Sequence, residues 1–300
     1  MLLKSSQNNP LLQYVILLFL SLALWGGEFH AEGAGEWRVW LSWAVALTSA
    51  VAFGKVMKRH GLSRNDGLLA VLFLCVASMH GAWAFSLALC LYPLAVLTLH
   101  YILSVYGKDK SYPATFNMAF LWGLITILQP DLFFTLPCIF MILIAYSMNQ
   151  WREWVCAAAG VVFVYLLLFI FHYLFDGTVR WPAWNAWFHF GFPAWNESMW
   201  LQVVLLALMS LLSLGTVFSF RQYTQTLEIL ERRKSSALVV MFFYFLIFFS
   251  VTKVEFSARF FLFFPLAFLS CRFLCHGKIN FWREAAFLLI MGLSILQAYL

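Results

Sequence analysis

Short polar interruptions cut this 300-residue chain into eleven apolar segments, and that alternation limits the fold more than any other feature. The segments run over about 10–26, 38–56, 67–80, 82–106, 115–128, 131–148, 154–175, 200–220, 236–252, 259–275 and 284–300. In hydrocarbon a backbone N–H or C=O finds no water to bond, so a long continuous apolar segment satisfies its own peptide groups as a helix. Hydrophobic residues make up 63% of the chain and charged residues 11%, against about 45–50% and about 25% in soluble domains. The expected fold is all-α: a polytopic transmembrane helical bundle of about eleven helices, some short or re-entrant. It is expected to form a single integral membrane domain over residues 1–300.

Lys and Arg set the orientation of such a bundle. With the N-terminus in the cytoplasm, fifteen of the nineteen fall on inner ends and loops, and only Arg38, Arg180, Lys253 and Arg259 fall outside. The thirteen acidic residues divide six inside and seven outside, as expected if they contribute little to orientation. The net charge of +6 therefore reads as orientation and contact with anionic lipid, not as nucleic-acid binding. The run Glu228-Ile-Leu-Glu231-Arg232-Arg233-Lys234 reads as the end of an amphipathic helix at such lipid. Leu11–Leu24 after Lys4 reads as a retained first helix and not a signal peptide, because Trp25 and Glu28 spoil a small-residue cleavage site.

Segments 67–80 and 115–128 are each fourteen residues, reaching about 21 Å at a rise of about 1.5 Å per residue. A span needs about 20 residues. Both end toward the outside, one at His80-Gly81 and the other at Gln129-Pro130-Asp131. Pro130 would break the helix and free backbone carbonyls, which lipid tolerates only beside a protein-lined or watery cavity. An outward-facing cavity floored by short helices is expected.

The polar residues that need a reason collect on that outer face. The first outer turn, Gly26–Glu36, gathers Glu28, Glu32, Glu36 and His30, with glycines that let the backbone fold back. A carboxylate there suits a general base or, with His30, a divalent cation; the alternative is a solvated acidic loop. His80 and Asp131 are ionisable groups at membrane turns and so functional candidates. The alternatives are a hydrogen bond to a carbonyl for His80 and a cap on helix 131–148 for Asp131. Lys253, Glu255 and Arg259 form the last outer turn. Arg259 suits a lipid phosphate through paired hydrogen bonds, or snorkels, or pairs with Glu255. The loop 176–199 carries Trp184 and Trp187 among other aromatics. It reads as an interfacial segment or as a platform for a sugar face or an acyl chain. His60, His100, His172, His189 and His276 read as interfacial or packing residues. Cys271 and Cys275 share a helix face and read as small packing residues. No disulfide, zinc, nucleotide or nucleophile-elbow motif is present.

The stretch from Thr115 to Phe134, followed by Trp151-Arg-Glu-Trp154 and Gly160, resembles a poorly characterised family of multi-pass inner-membrane proteins from Bacteroidota. The similarity covers the middle half of the chain and places it in the bacterial inner membrane. A looser resemblance is to the C-type (GT-C) polytopic glycosyltransferases and related glycan polymerases, whose bundles present their site on the outer face. That resemblance implies Glu28 (or Glu32) as the acid/base or metal-binding residue of the first outer loop. It implies His80 as the polar group of the second, and Lys253 or Arg259 near the lipid phosphate. The chain departs from that pattern in its short first outer loop and in having no Asp-Asp or Asp-Glu pair. The expected function is work on a polyprenyl-phosphate-linked glycan at the periplasmic face. Two alternatives are a non-catalytic subunit of an envelope or secretion complex and a lipid or glycolipid transporter. No cofactor is expected; a divalent cation at Glu28 and His30 is the alternative. The expected partners are membrane lipids, the lipid-linked sugar and other membrane proteins.

Overall fold

Most of the described chain is helical, so most of its peptide groups are met within helices. The computed structural model describes residues 2–31, 37–78, 87–107, 111–148, 150–176, 199–218, 228–251, 260–275 and 280–299, with no strand among them. The helices are α1 (Leu2–Asn8), α2 (Pro10–Ala31), α3 (Trp37–Arg59), α4 (Asp66–Ser78), α5 (Leu87–Val105) and α6 (Tyr112–Leu128). A 3₁₀ turn (Pro130–Thr135) leads to α7 (Pro137–Ala145) and α8 (Trp151–Asp176). Then follow α9 (Met199–Phe218), α10 (Ile229–Val251), α11 (Phe260–Cys275) and α12 (Phe281–Ala298). Among the described residues four helices are long and apolar enough, by length and composition, to cross a membrane: Trp37–Arg59, Trp151–Leu174, Ile229–Ser250 and Phe281–Ala298. The remaining apolar segments hold shorter helices, among them Asp66–Ala77 and Tyr112–Leu128.

Several boundaries correct the sequence reading. Helix α2 continues through Gly26 and Gly27 to Ala31, so these glycines do not turn the chain. Gly26 instead admits the Tyr299 hydroxyl where a side chain would collide. Segment 131–148 is not one helix: Pro137 has no N–H to bond backward, and a 3₁₀ turn precedes α7. Asp131 lies in that turn and therefore does not cap an α-helix over 131–148. Helix α10 starts at Ile229 and carries the basic run Arg232-Arg233-Lys234 within it. The short helix α1 precedes the first apolar segment.

Helix α4 is the centre of the packing. Every residue from Leu68 to Ala77 is buried, against α2, α3, α11 and α12. Phe53, Phe73 and Phe264 join α3, α4 and α11, with ring centroids 5.2–5.7 Å apart. Trp122 of α6 stacks on Phe261 of α11 at 4.6 Å. Helices in lipid associate by close packing over small residues, and the glycines show where. A Cβ on Gly54 would overlap the Asp66 carbonyl oxygen, and one on Gly160 would come within 2.7 Å of the Phe116 carbonyl oxygen. Helix α8 turns Val162, Phe163, Leu166 and Phe171 outward, the surface that hydrocarbon would cover.

Candidate functional site

Helix register sets the relief of the end at which α6 stops. Helices α6 and α8 run parallel and start level. Ser111 Oγ donates to Glu153 Oε1 at 2.9 Å, and Tyr112 Oη donates to Gln150 Oε1 at 3.3 Å. Further along, Gly160 faces Phe116 and Ala119, and Gly123 faces Val164. Carried to Leu128, this register leaves about seven residues of α8, roughly 10 Å, projecting beyond α6. The Gln129–Asp131 turn is thus set below the end of α8. Helix α4 also stops low. Gly54 is level with Asp66, so Ser78 comes level with about Ser42, and α3 projects beyond it by about 7 Å. Trp25 Nε1 donates to Ser42 Oγ at 2.8 Å, which places Glu28 on the turn of α2 that projects past α4.

The break at Pro130 is tolerated because neighbouring side chains meet the irregular segment. Tyr244 Oη donates to the Phe134 carbonyl at 2.7 Å, and Trp122 Nε1 donates to Thr135 Oγ1 at 2.9 Å. Asp131 is half-buried and accepts from Gln129 Nε2 at 3.3 Å. The described residues therefore bring the Asp131 carboxylate and the backbone of Glu28 to this end. The Glu28 side chain, and all of His80, Trp184, Trp187, Lys253 and Arg259, lie outside the described residues.

The other end carries a polar network whose histidines and cysteines the sequence reading took as interfacial or packing residues. Asp66 opens α4 and is buried. Its Oδ2 accepts from Tyr14 Oη of α2 at 2.9 Å and from Lys58 Nζ of α3 at 3.3 Å. Gln13 closes the knot, accepting from the Gly67 amide at 3.1 Å and donating to the Ser6 carbonyl at 2.8 Å. Lys234 Nζ lies 3.3 Å from His60 Nδ1, and His60 Nε2 lies 3.1 Å from His100 Nδ1. The Cys271 and Cys275 sulfurs are 3.9 Å apart, with Asn65 Nδ2 3.7 Å from Cys275 Sγ. One signal pointed here: His100 interrupts the apolar run of α5, and an ionisable group inside such a run marks a candidate. Asp66→Leu, which removes both bonds joining three helices, is expected to lower stability by about 1–3 kcal/mol. Melting of the detergent-solubilised protein, followed by size exclusion after heating, checks this.

Fold and polar sites together define the class as a helical membrane protein. No known family model, curated protein or solved structure matches the chain. Among the described residues no group of three or more His, Cys, Asp or Glu side chains is placed to hold a metal ion.

Proposed function

We propose that this chain is a polytopic bacterial inner-membrane protein of about eleven membrane helices, some short or re-entrant, with a cytoplasmic N-terminus. It acts on a polyprenyl-phosphate-linked or other lipid-linked glycan at the periplasmic face, as a glycosyltransferase or polymerase does. The observation that carries this reading is the Asp131 turn: a half-buried carboxylate at a helix break, set below the end of α8. An ionisable group at such depth is a functional candidate by its cost alone. Alternation of the spans assigns this end to the outside, and the Lys and Arg distribution assigns the Asp66 end to the cytoplasm.

In this mechanism Glu28 takes the proton of the acceptor hydroxyl as its oxygen attacks the anomeric carbon. The bond from that carbon to the phosphate oxygen breaks, and the lipid phosphate leaves with the electron pair. Arg259 and Lys253 hold that phosphate, His80 assists the proton transfer, and Asp131 supplies a second carboxylate. Trp184 and Trp187 cover the sugar or its lipid. Glu28→Gln and Arg259→Ala are each expected to cut glycan product by about 100-fold or more at unchanged protein level. A lipid-linked sugar should copurify with the wild type and be visible by mass spectrometry. Full product from both variants would exclude catalysis and leave the chain as a membrane subunit of a larger complex.

A further inference from the structure

We infer that Cys271 and Cys275 form a two-thiolate site for one soft monovalent cation, Cu(I), at the Asp66 end of the bundle, separate from the Asp131 turn. The two residues stand four apart on α11, so helix geometry puts their side chains on one face, a turn apart. Their sulfurs lie 3.9 Å from each other, and neither is in a disulfide. A first-row metal ion sits about 2.3 Å from a thiolate sulfur, as zinc does. One ion therefore touches both sulfurs wherever they stand within about 4.6 Å of each other. The observed separation meets that condition without any change in the helix. Cys271 is buried and Cys275 half-buried, so Cys275 is the sulfur that an arriving ion meets first.

The surroundings suit sulfur that carries negative charge. Asn65, the residue before α4, donates from Nδ2 to Cys275 Sγ at 3.7 Å. The positive charge of Arg272 also acts on Cys275, and its guanidinium is held by a bond to the Leu62 carbonyl at 3.0 Å. N–H donors and a cation behind a ligating sulfur are what a thiolate complex draws on to fix its ligands and offset its charge. A disulfide is the other fate of a close thiol pair. It is neutral, and would discard the charge that Asn65 and Arg272 meet.

The donor set selects the ion. Thiolates prefer soft cations. Structural zinc takes four protein ligands, and among the described residues no third His, Cys, Asp or Glu side chain joins this pair. Cu(I), with a filled d shell and a single charge, is satisfied by two sulfurs. Binding exchanges two S–H protons for the ion: both thiols release their protons to water, and two sulfur–copper bonds form. Copper stays monovalent, so no oxidant or reductant takes part. The complex carries one net negative charge, which Arg272 offsets.

The test uses the full chain in detergent, reduced and under nitrogen, with Cu(I) supplied as its bicinchoninate complex. The wild type is expected to take one Cu(I) per chain from the chelator, read as loss of the complex's colour. Cys271→Ser and Cys275→Ser are each expected to weaken binding by about 100-fold or more, since losing even a residue behind the ligands costs about 10–100-fold. Cys156→Ser, at a half-buried thiol of α8, is expected to leave binding unchanged. X-ray absorption at the copper edge is expected to show two sulfur neighbours. That measurement needs only the wild type, so it decides should a serine variant fail to fold. The inference is overturned if the chelator keeps the copper, if both folded variants bind as the wild type does, or if fewer than two sulfurs surround the ion.

Discussion

Gly54→Leu is expected to prevent the protein from accumulating as a monodisperse species in detergent. The obstacle is backbone: the first added carbon overlaps the Asp66 carbonyl oxygen and also crowds its carbonyl carbon and Cα. No side-chain rotation relieves that contact, so α3 and α4 must separate. Adding methylenes to a packed core costs about 1–3 kcal/mol and occasionally more, and a rigid obstacle puts this substitution at the upper end. Separation would also draw the buried Asp66 away from the half-exposed Lys58, adding the loss of a charged contact. Against a total stability of about 5–15 kcal/mol, a bundle whose central helix is displaced is expected to aggregate. Gly54→Ala should give a lowered melting temperature with recoverable protein. A melting temperature equal to the wild type in Gly54→Ala would show that the helices are not in such close contact.

Trp122→Ala is expected to cost about 3–5 kcal/mol. The indole is fully buried and stacks on Phe261 at 4.6 Å, with Phe245 at 6.1 Å on α10. Its removal opens a cavity where α6, α10 and α11 meet. It also removes the Nε1–H donated to Thr135 in the irregular segment after Pro130. Trp122→Phe separates the two effects: it keeps an aromatic ring and loses the hydrogen bond, for about 1 kcal/mol beyond the smaller ring. Thermal unfolding of both variants in one detergent checks the difference. Equal melting of Trp122→Ala and wild type would place the indole in lipid instead of the core.

The helical nature of the bundle was legible because it depends on composition along the chain. Pro130 was equally legible as a break, since proline acts on its own peptide bond wherever it sits. The Gly26-Gly27 pair was misleading for the opposite reason. Glycine permits a turn without requiring one, and here a contact with Tyr299 explains Gly26 better. Asp131 could be picked out as a candidate from its place after Pro130. Its recess below the end of α8 depended on the register of two helices set by glycines at 123 and 160.

The sequence by itself determined that this chain is helical and suited to lipid, because lipid admits only helices and closed barrels and its long continuous apolar runs lack the alternation of barrel strands. Its Lys and Arg spacing also proposed a single orientation. Only the tertiary structure decided which polar residues meet. His60 and His100 are 40 positions apart in sequence, and His60 and Lys234 are 174 apart. Taken along the chain, His60 and Lys234 are ordinary polar residues near a helix end, and His100 is an isolated imidazole in α5. Packing of α3, α5 and α10 places them in hydrogen-bonding reach.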